Sequence, residues 1–261
     1  MQIKTIIIYA FLSFLFSAAV IKSLIPFLSK EMLDMPNMRS SHRKAVPRGA
    51  GIVFTSIGTI FSTLLSFNPA IVLCLPIAIV GLFDDMYSLS AKFRYSIQLL
   101  TAFALFLLSP LFRQIQSDMN TIALIALSTI IIIGITAVIN VINFMDGLDG
   151  FVAGNIEIAL IVIGVNSNLS ILPLASALAG FLIWNWHPAK VFMGDSGSTF
   201  LGAIYGMLIL QSNSLLDVLR ITLILFPILA DGLICIIRRY FAKENIFSAH
   251  KKHLYQRLHQ S

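Results

Sequence analysis

Long apolar runs alternate with short polar links along the whole chain. Several runs are shorter than the roughly 20 residues that a perpendicular membrane helix needs, so their ends must include flanking residues or be sheltered by neighbouring helices. Nine runs follow this pattern: residues 3–25, 52–67, 70–83, 95–112, 121–142, 151–165, 171–186, 200–210 and 218–237. The pattern predicts an all-α, polytopic membrane bundle of about nine transmembrane helices, formed by one domain over residues 1–261.

The composition excludes an ordinary soluble domain. Of the 261 residues, 57% are hydrophobic and only 11% are charged, whereas soluble domains have about 25% charged residues. Cys74 and Cys235 both lie inside apolar runs, which excludes a disulfide framework and a thiolate metal site. The net charge of +6 comes from residues in the polar links, where they attract anionic lipid or phosphate. A nucleic-acid partner is therefore not expected.

The basic residues also predict the orientation. The first run resembles a signal peptide, but we expect a retained helix because all the later runs also need a bilayer. Alternation of nine spans places the N-terminus outside, in the periplasm, and the basic tail 238–261 in the cytoplasm. Inside links then hold 14 of the 18 Lys and Arg residues, in accord with the positive-inside rule. They are Lys30, Arg39, Arg43, Lys44, Arg48, Lys92, Arg94, Lys190, Arg238, Arg239, Lys243, Lys251, Lys252 and Arg257.

Acidic residues occur at the ends of three apolar runs. Asp84 and Asp85 end the third run, residues 143–150 follow the fifth, and Asp195 follows the seventh. The predicted topology places all three segments on the cytoplasmic face. Carboxylates at such positions are costly to desolvate and usually belong to a working site. If the three ends converge, a divalent cation is the simplest way to hold the carboxylates together.

Each acidic segment also has a simpler interpretation. Asp84 and Asp85 could form salt bridges to Lys92 or Arg94 in the same link.

In the central segment, Asn143, Asp146 and Asp149 recur every third residue, so a helix would present them on one broad face. A helix C-cap turn is the alternative there. In the third segment, the backbone amides of Ser196–Ser198 precede an apolar helix, and they predict an anion site beside Asp195.

Five ordered motifs resemble the polyprenyl-phosphate N-acetylhexosamine-1-phosphate transferases. The resemblance covers nearly the whole chain. Within this family, the chain is most similar to the shorter branch that initiates O-antigen synthesis. The motifs are His42 with residues 47–51, residues 81–85, residues 143–150, residues 188–198 and residues 253–258. Where many relatives carry a cluster of histidines, only His253 matches in this chain.

The resemblance implies transfer of a sugar 1-phosphate from a UDP-N-acetylhexosamine to undecaprenyl phosphate in the bacterial inner membrane. It implies Mg²⁺ as the cofactor, with Mn²⁺ as an alternative, and it leaves an oligomer open. Asp195 and Asn143 would hold the ion. The implied catalytic residues are Asp84, Asp85, Asp146 and His253, and the implied substrate-binding residues are Asp149, Asn185, Phe192, Arg48, Lys44 and Lys92.

Two other functions remain open at this point. An ion-coupled transporter would use similar carboxylates, but it predicts internal pseudo-symmetry and carboxylates near the bilayer midplane. The second alternative is a catalytically inactive, truncated family member that acts as a scaffold. It arises because relatives usually continue into a further membrane helix beyond the position of Ser261.

Overall fold

The computed structural model describes residues 3–36, 44–243 and Leu254, and these residues are mostly α-helical. The helices are α1 (Ile3–Glu31), α2 (Gly51–Leu65), α3 (Pro69–Val72), α4 (Leu75–Tyr87), α5 (Ala91–Leu107), α6 (Pro110–Asp118), α7 (Thr121–Met145), α8 (Phe151–Asn166), α9 (Leu172–Asn185), α10 (Gly194–Leu210), α11 (Leu215–Ile224) and α12 (Phe226–Phe241). Two short strands, β1 (Leu33–Asp34) and β2 (Val46–Pro47), pair in antiparallel fashion. The predicted all-α membrane bundle is confirmed.

Helix α10 lies at the centre of the bundle. Its side chains from Ser196 to Leu208 are buried on every side of the helix, and it packs against α2, α4, α5 and α7. Gly202 allows a close approach to α7, because a Cβ atom there would come within 2.7 Å of the Ile139 Cα. The first turn of α10 is thereby enclosed by the ends of its neighbours, and this is where the polar motifs meet.

The outer surface of the bundle is apolar, as a bilayer requires. Large side chains such as Phe11 on α1 and Ile122 on α7 are 59% and 83% exposed. Among the described residues, three helices are long and apolar enough to cross a membrane, or up to five if each sharply bent helix pair counts as one span. Three shorter apolar helices, α2, α8 and the unit from Leu169 to Asn185, accompany them. The chain is a multi-pass membrane protein.

Two of the predicted spans are not single straight helices, and this part of the prediction was wrong. The run 95–112 bends by 70° between α5 and α6, and the run 218–237 bends by 78° between α11 and α12. Pro110 and Pro227 lie at the starts of α6 and α12. Proline cannot donate the next helical hydrogen bond and disfavours helix at the preceding residue, so each run breaks there.

The run 70–83 is also interrupted. Helix α3 ends at Val72 and α4 begins at Leu75, with Pro76 in its first turn. The polar link before this run contains Asn68, whose side chain accepts a hydrogen bond from the Ala70 backbone at 3.0 Å and caps α3. Caps of this kind satisfy backbone donors that a helix start leaves free.

Polar contacts hold α1 against α9 far from the start of α10. Ser13 Oγ donates to the carbonyl of Pro173, and Ser17 Oγ donates to the carbonyl of Ala177, each at 2.7 Å. Both serines are completely buried. Bonds of this type, together with small residues, drive helix association in membranes.

Candidate active site

The last turn of α4 lies directly against the first turn of α10. A Cβ atom on Gly81 would come within 2.5 Å of the Asp195 carbonyl, and one on Gly194 would come within 2.2 Å of Asp85 Oδ2. Gly194 also has a φ of +68°, which favours glycine. These two glycines bring the aspartates of both segments into one place.

Asp85 caps the N-terminus of α10. Its side chain is only 3% exposed and accepts hydrogen bonds from the backbone N–H groups of Asp195 and Ser196 at 3.2 and 3.4 Å. A carboxylate is favourable there because the N-terminus of a helix carries partial positive charge. The predicted anion site at the amides of Ser196–Ser198 was wrong for Ser196, since the Asp85 carboxylate already accepts the hydrogen bond of that amide.

Arg48, which directly follows β2, contacts Asp85 and so connects this segment to the end of α4. Its Nη2 donates to the backbone carbonyl of Asp85 at 2.6 Å, and its Nε lies 3.8 Å from Asp85 Oδ1. About a third of the Arg48 side chain stays exposed. The guanidinium therefore adds positive charge at the edge of the site while it supports Asp85.

Arg94 lies between two carboxylates. Its Nη1 donates to Asp84 Oδ2 at 2.7 Å and to Asp195 Oδ2 at 3.1 Å. The backbone N–H of Leu89 donates to the other Asp84 oxygen at 2.7 Å. The Arg94 Nε is buried and has no hydrogen-bond partner among the described residues. One cation thus neutralises part of the repulsion between Asp84 and Asp195, with one of its donors unused.

Asn143 reaches the site from the last turn of α7. Its Nδ2 donates to Asp195 Oδ1 at 3.1 Å and to Ser198 Oγ at 2.8 Å. Each oxygen of Asp195 is therefore held by a different helix, with Arg94 on α5 and Asn143 on α7. We call the group Asp84, Asp85, Arg94, Asn143 and Asp195 the carboxylate cluster.

The central segment is a turn and does not continue the helix. Helix α7 ends at Met145, and Gly150 precedes α8 with a φ of +67°. The prediction that Asn143, Asp146 and Asp149 share one helical face was therefore wrong, and the C-cap turn is confirmed. Burial of the Asp146 carboxyl group, together with the negative charges of Asp195 and Asp149, raises its pKa to about 7.

The turn is joined to the loop that follows α9. Asp149 Oδ2 lies 2.8 Å from His187 Nδ1 and accepts a hydrogen bond from the Ala189 backbone at 3.0 Å. The Asp149 side chain is 18% exposed, and His187 is 73% exposed. The contact thus lies at the surface next to the carboxylate cluster.

Asn185 also connects the turn to this loop, from a buried position. Its Oδ1 accepts a hydrogen bond from the Gly150 backbone, and its Nδ2 donates to the Val191 carbonyl, both at 3.0 Å. We call the contacts of Asp149 and Asn185 with residues 187–191 the loop junction. The side chain of Asn185 thus has backbone partners on both sides; its predicted contact with uracil stays a prediction.

The loop continues to Phe192, which pairs with the segment around β2. The Phe192 backbone N–H donates to the Pro47 carbonyl at 2.8 Å, and its carbonyl accepts from Ala50 at 3.2 Å. The ring is partly buried. These bonds fix the loop just before Asp195.

Comparison with known proteins gives one relative over nearly the whole chain. The family described as glycosyl transferase family 4 matches residues 67–213. A probable undecaprenyl-phosphate N-acetylglucosaminyl 1-phosphate transferase of Bacillus subtilis (strain 168) is 33% identical over 282 aligned residues, which cover 97% of this chain and 77% of the relative. The chain belongs to glycosyl transferase family 4. The resemblance drawn from the five motifs is confirmed.

A second family relative matches over a shorter region. The undecaprenyl-phosphate alpha-N-acetylglucosaminyl 1-phosphate transferase of Thermotoga maritima is 37% identical over 75 residues, which cover 28% of this chain and 24% of the relative. The family match over residues 67–213 includes all five residues of the carboxylate cluster. Arg48 and Lys44 lie before it.

The two lysines predicted to bind substrate are not part of the carboxylate cluster. Lys44 and Lys92 are exposed, and among the described residues no ion pair joins either side chain to the cluster. His253 lies outside the described residues. Its neighbour Leu254 is described, and the Leu254 backbone N–H donates to Asp231 Oδ1 on α12 at 2.9 Å.

The donor set fits a metal ion that the substrate helps to hold. Within the described part of the chain, no group of three or more His, Cys, Asp or Glu side chains forms a complete metal site. Mg²⁺ does not require one, because it usually takes one or two carboxylates and completes its shell with water and substrate phosphates. Asp195 is 30% exposed, and the Asn143 side-chain oxygen accepts no hydrogen bond from the described residues.

Sequence reasoning missed Arg94 and His187 as site residues. Arg94 entered only as a salt-bridge partner for Asp84 or Asp85, and this interpretation is confirmed for Asp84. Its bond to Asp195, 101 residues away, had no local signal. His187 directly precedes the motif 188–198, so its position beside Pro188 was the available signal for its contact with Asp149.

Proposed function

We propose that the protein transfers an N-acetylhexosamine 1-phosphate from a UDP-linked donor to undecaprenyl phosphate. Both relatives are named as undecaprenyl-phosphate N-acetylglucosaminyl 1-phosphate transferases, and this chain belongs to their family. A lipid phosphate oxygen would attack the donor phosphorus that carries the sugar. The bond to the other phosphate would break, which gives the lipid diphosphate sugar and UMP.

The carboxylate cluster is the observation that carries the proposal. Three helix ends that are far apart in sequence meet there, and both oxygens of Asp195 are held by groups from other helices. Phosphoryl transfer depends mainly on charge neutralisation and in-line positioning. A site with carboxylates, two arginines and a fixed Asp195 suits these requirements.

Positive charge in the site would face the phosphates. The donor diphosphate and the lipid phosphate are both anionic. The three aspartates of the cluster are acidic as well, so positive groups are needed beside them. The Arg94 side chain is 36% exposed, so its guanidinium can donate a hydrogen bond to a phosphate that enters the site. Arg48 lies at the edge of the same site. We assign phosphate binding to both arginines.

Asp195 and Asn143 would hold Mg²⁺, or Mn²⁺ as the alternative ion. The carboxylate of Asp195 and the amide oxygen of Asn143 are ligands that these hard cations accept. When bound, the ion would supply charge neutralisation at the diphosphate. Its binding would require Arg94 to share Asp195 with the ion or to move from it toward the phosphates.

Asp84 would orient the lipid phosphate or accept its proton, and Asp85 would support Asp84 by fixing the start of α10. Asp146 adds a carboxyl group whose pKa of about 7 allows it to exist in both protonation states near neutrality. Asp149, Asn185 and Phe192 would surround the uracil ring.

Lys44, Lys92 and His253 would bind phosphate at the edge of the site. Lys44 and Lys92 are exposed, where a lysine attracts anionic groups over distances of about a Debye length.

We place the site on the cytoplasmic face of the bacterial inner membrane, with the N-terminus in the periplasm. The excess of Lys and Arg in the links on that side supports this orientation. A cysteine introduced at Ser41 should then react only with reagents that reach the cytoplasm.

A transfer assay tests the function. Purified protein is incubated with undecaprenyl phosphate, Mg²⁺ and a panel of radiolabelled UDP-N-acetylhexosamines, and label in the lipid phase is measured. We expect transfer from at least one donor and its loss in EDTA. Absence of lipid-bound label with every donor would refute the proposal.

A further inference from the structure

A pair of polar side chains connects two helices one turn below the carboxylate cluster. Asn140 on α7 donates through Nδ2 to Gln98 Oε1 on α5 at 2.7 Å, and the same nitrogen donates to the Thr136 carbonyl at 2.8 Å. Gln98 is 7% exposed. Both N–H groups of the Asn140 amide are therefore used, and the bond between the helices is partly buried.

Gln98 and Asn140 lie on the same helix faces as Arg94 and Asn143, the two residues that hold Asp195. Gln98 lies four residues after Arg94 on α5, and Asn140 lies three residues before Asn143 on α7. Residues with these spacings share one face of a helix. The bond between Gln98 and Asn140 therefore links the same two helix faces that hold Asp195 Oδ2 and Oδ1.

Packing alone does not explain two amides at this depth. Apolar residues such as Ala102, Leu105 and Ile139 are buried on the same two helices, and polar residues within membrane helices are costly. A hydrogen bond differs from apolar packing because it fixes the distance and rotation of the two helices relative to each other. The cluster one turn above needs this fixed geometry.

We propose that Gln98 and Asn140 are positioning residues that hold Arg94 and Asn143 at the spacing required to orient Asp195 toward a divalent cation. This inference rests on the proposed function. Supporting residues of this type typically change metal affinity by about 10–100-fold when they are removed.

The test measures metal binding with UDP present and without lipid acceptor, because phosphates of the donor help to hold the ion. Purified Asn140→Ser retains a hydroxyl for the Thr136 carbonyl but cannot reach Gln98, and Gln98→Leu removes the other partner. Free Mn²⁺ is followed by electron paramagnetic resonance during titration, and the melting temperature is measured in EDTA. We expect Mn²⁺ affinity about 10-fold weaker in both variants, with most of the affinity restored in the exchanged double variant Gln98→Asn, Asn140→Gln.

Ser13→Ala is the matched control, because it removes a buried bond between α1 and α9 far from the cluster. It should leave Mn²⁺ affinity unchanged, although it lowers the melting temperature in EDTA. Unchanged affinity in Asn140→Ser and Gln98→Leu, beside wild-type protein that binds Mn²⁺, would overturn the positioning role alone. Wild-type protein that binds no Mn²⁺ would overturn the metal site of the proposed function as well.

Discussion

The carboxylate cluster and the loop junction lie next to each other but are held in different ways. In the cluster, Asp84, Arg94, Asn143 and Asp195 bind one another through their side chains, and both Asp195 and Arg94 remain about a third exposed. Asp85 is the exception, because it binds backbone groups at the start of α10. In the loop junction, Asp149 and Asn185 bind mainly backbone groups. The first arrangement can exchange partners when ions or phosphates enter, whereas the second fixes the path of a loop.

This difference separates chemistry from substrate binding. Replacement of groups that exchange partners during the reaction should lower the rate of transfer. Replacement of groups that fix the loop should weaken binding of the donor nucleotide. Kinetic parameters distinguish the two, because loss of uniform binding raises KM while loss of transition-state stabilisation lowers kcat.

The largest effect should follow replacement of Asp195 in the cluster. Asp195→Asn keeps the size of the side chain but removes the charge that would hold the metal ion, so we expect kcat to fall by about 10³-fold. Asp217→Asn, at an exposed acid on α11, is the control and should retain full activity. An Asp195→Asn enzyme with nearly normal kcat would remove this residue from the chemistry.

A smaller loss should follow replacement of Arg94. Arg94→Met leaves Asp84 and Asp195 without their shared cation and removes a phosphate contact, so we expect kcat to fall by about 10²-fold. Arg94→Lys keeps the charge but loses the planar guanidinium, and we expect an intermediate value.

Arg113→Met on α6 serves as the control for loss of an arginine. If Arg94→Met and Arg113→Met have the same kcat, Arg94 acts only as a structural partner of Asp84.

Replacement in the loop junction should have a different signature. Asp149→Ala releases the loop that leads to Phe192, so KM for the UDP-sugar should rise by about 10-fold with a smaller change in kcat. His187→Ala leaves the Ala189 bond to Asp149 and should show a weaker form of the same effect. A fall in kcat at constant KM would contradict the division between the two regions.

The smallest effect concerns the pH dependence of stability at Asp146. Its pKa is raised in the folded protein from 3.8 to about 7, so protonation favours folding. The stabilisation is complete below pH 3.8 and is lost as pH rises to about 7.

In EDTA, the wild-type melting temperature should therefore fall between pH 5.5 and 8 by about 2–4 °C more than that of Asp146→Asn. Parallel pH profiles for the two proteins would show that Asp146 does not contribute.

The sequence predicts the apolar helices well because membrane insertion depends on composition over long runs. It does not predict that α10 is central, since a helix buried in protein and one that faces lipid have similar compositions. The bends at Pro110 and Pro227 were visible in the sequence, but apolar content alone merged the helices on either side. Helix breaks depend on backbone chemistry that a hydrophobic run does not report.

The candidate site was predictable to the extent that charge is costly in an apolar chain. This cost identifies Asp84, Asp85 and Asp195, and the structure brings them together. It does not reveal that Asp85 caps α10, because such a cap needs the close approach that Gly81 and Gly194 allow. Partner choice depends on packing between distant segments, and no local pattern encodes it.

A structure with Mn²⁺ and UDP bound would test the central claim most directly, since anomalous diffraction locates the ion independently of any assumption about its ligands. We predict one Mn²⁺ peak at ligand distance from Asp195 and Asn143, with Arg94 in contact with the diphosphate. An ion bound away from Asp195, or a diphosphate that contacts neither Asp195 nor Arg94, would contradict the account.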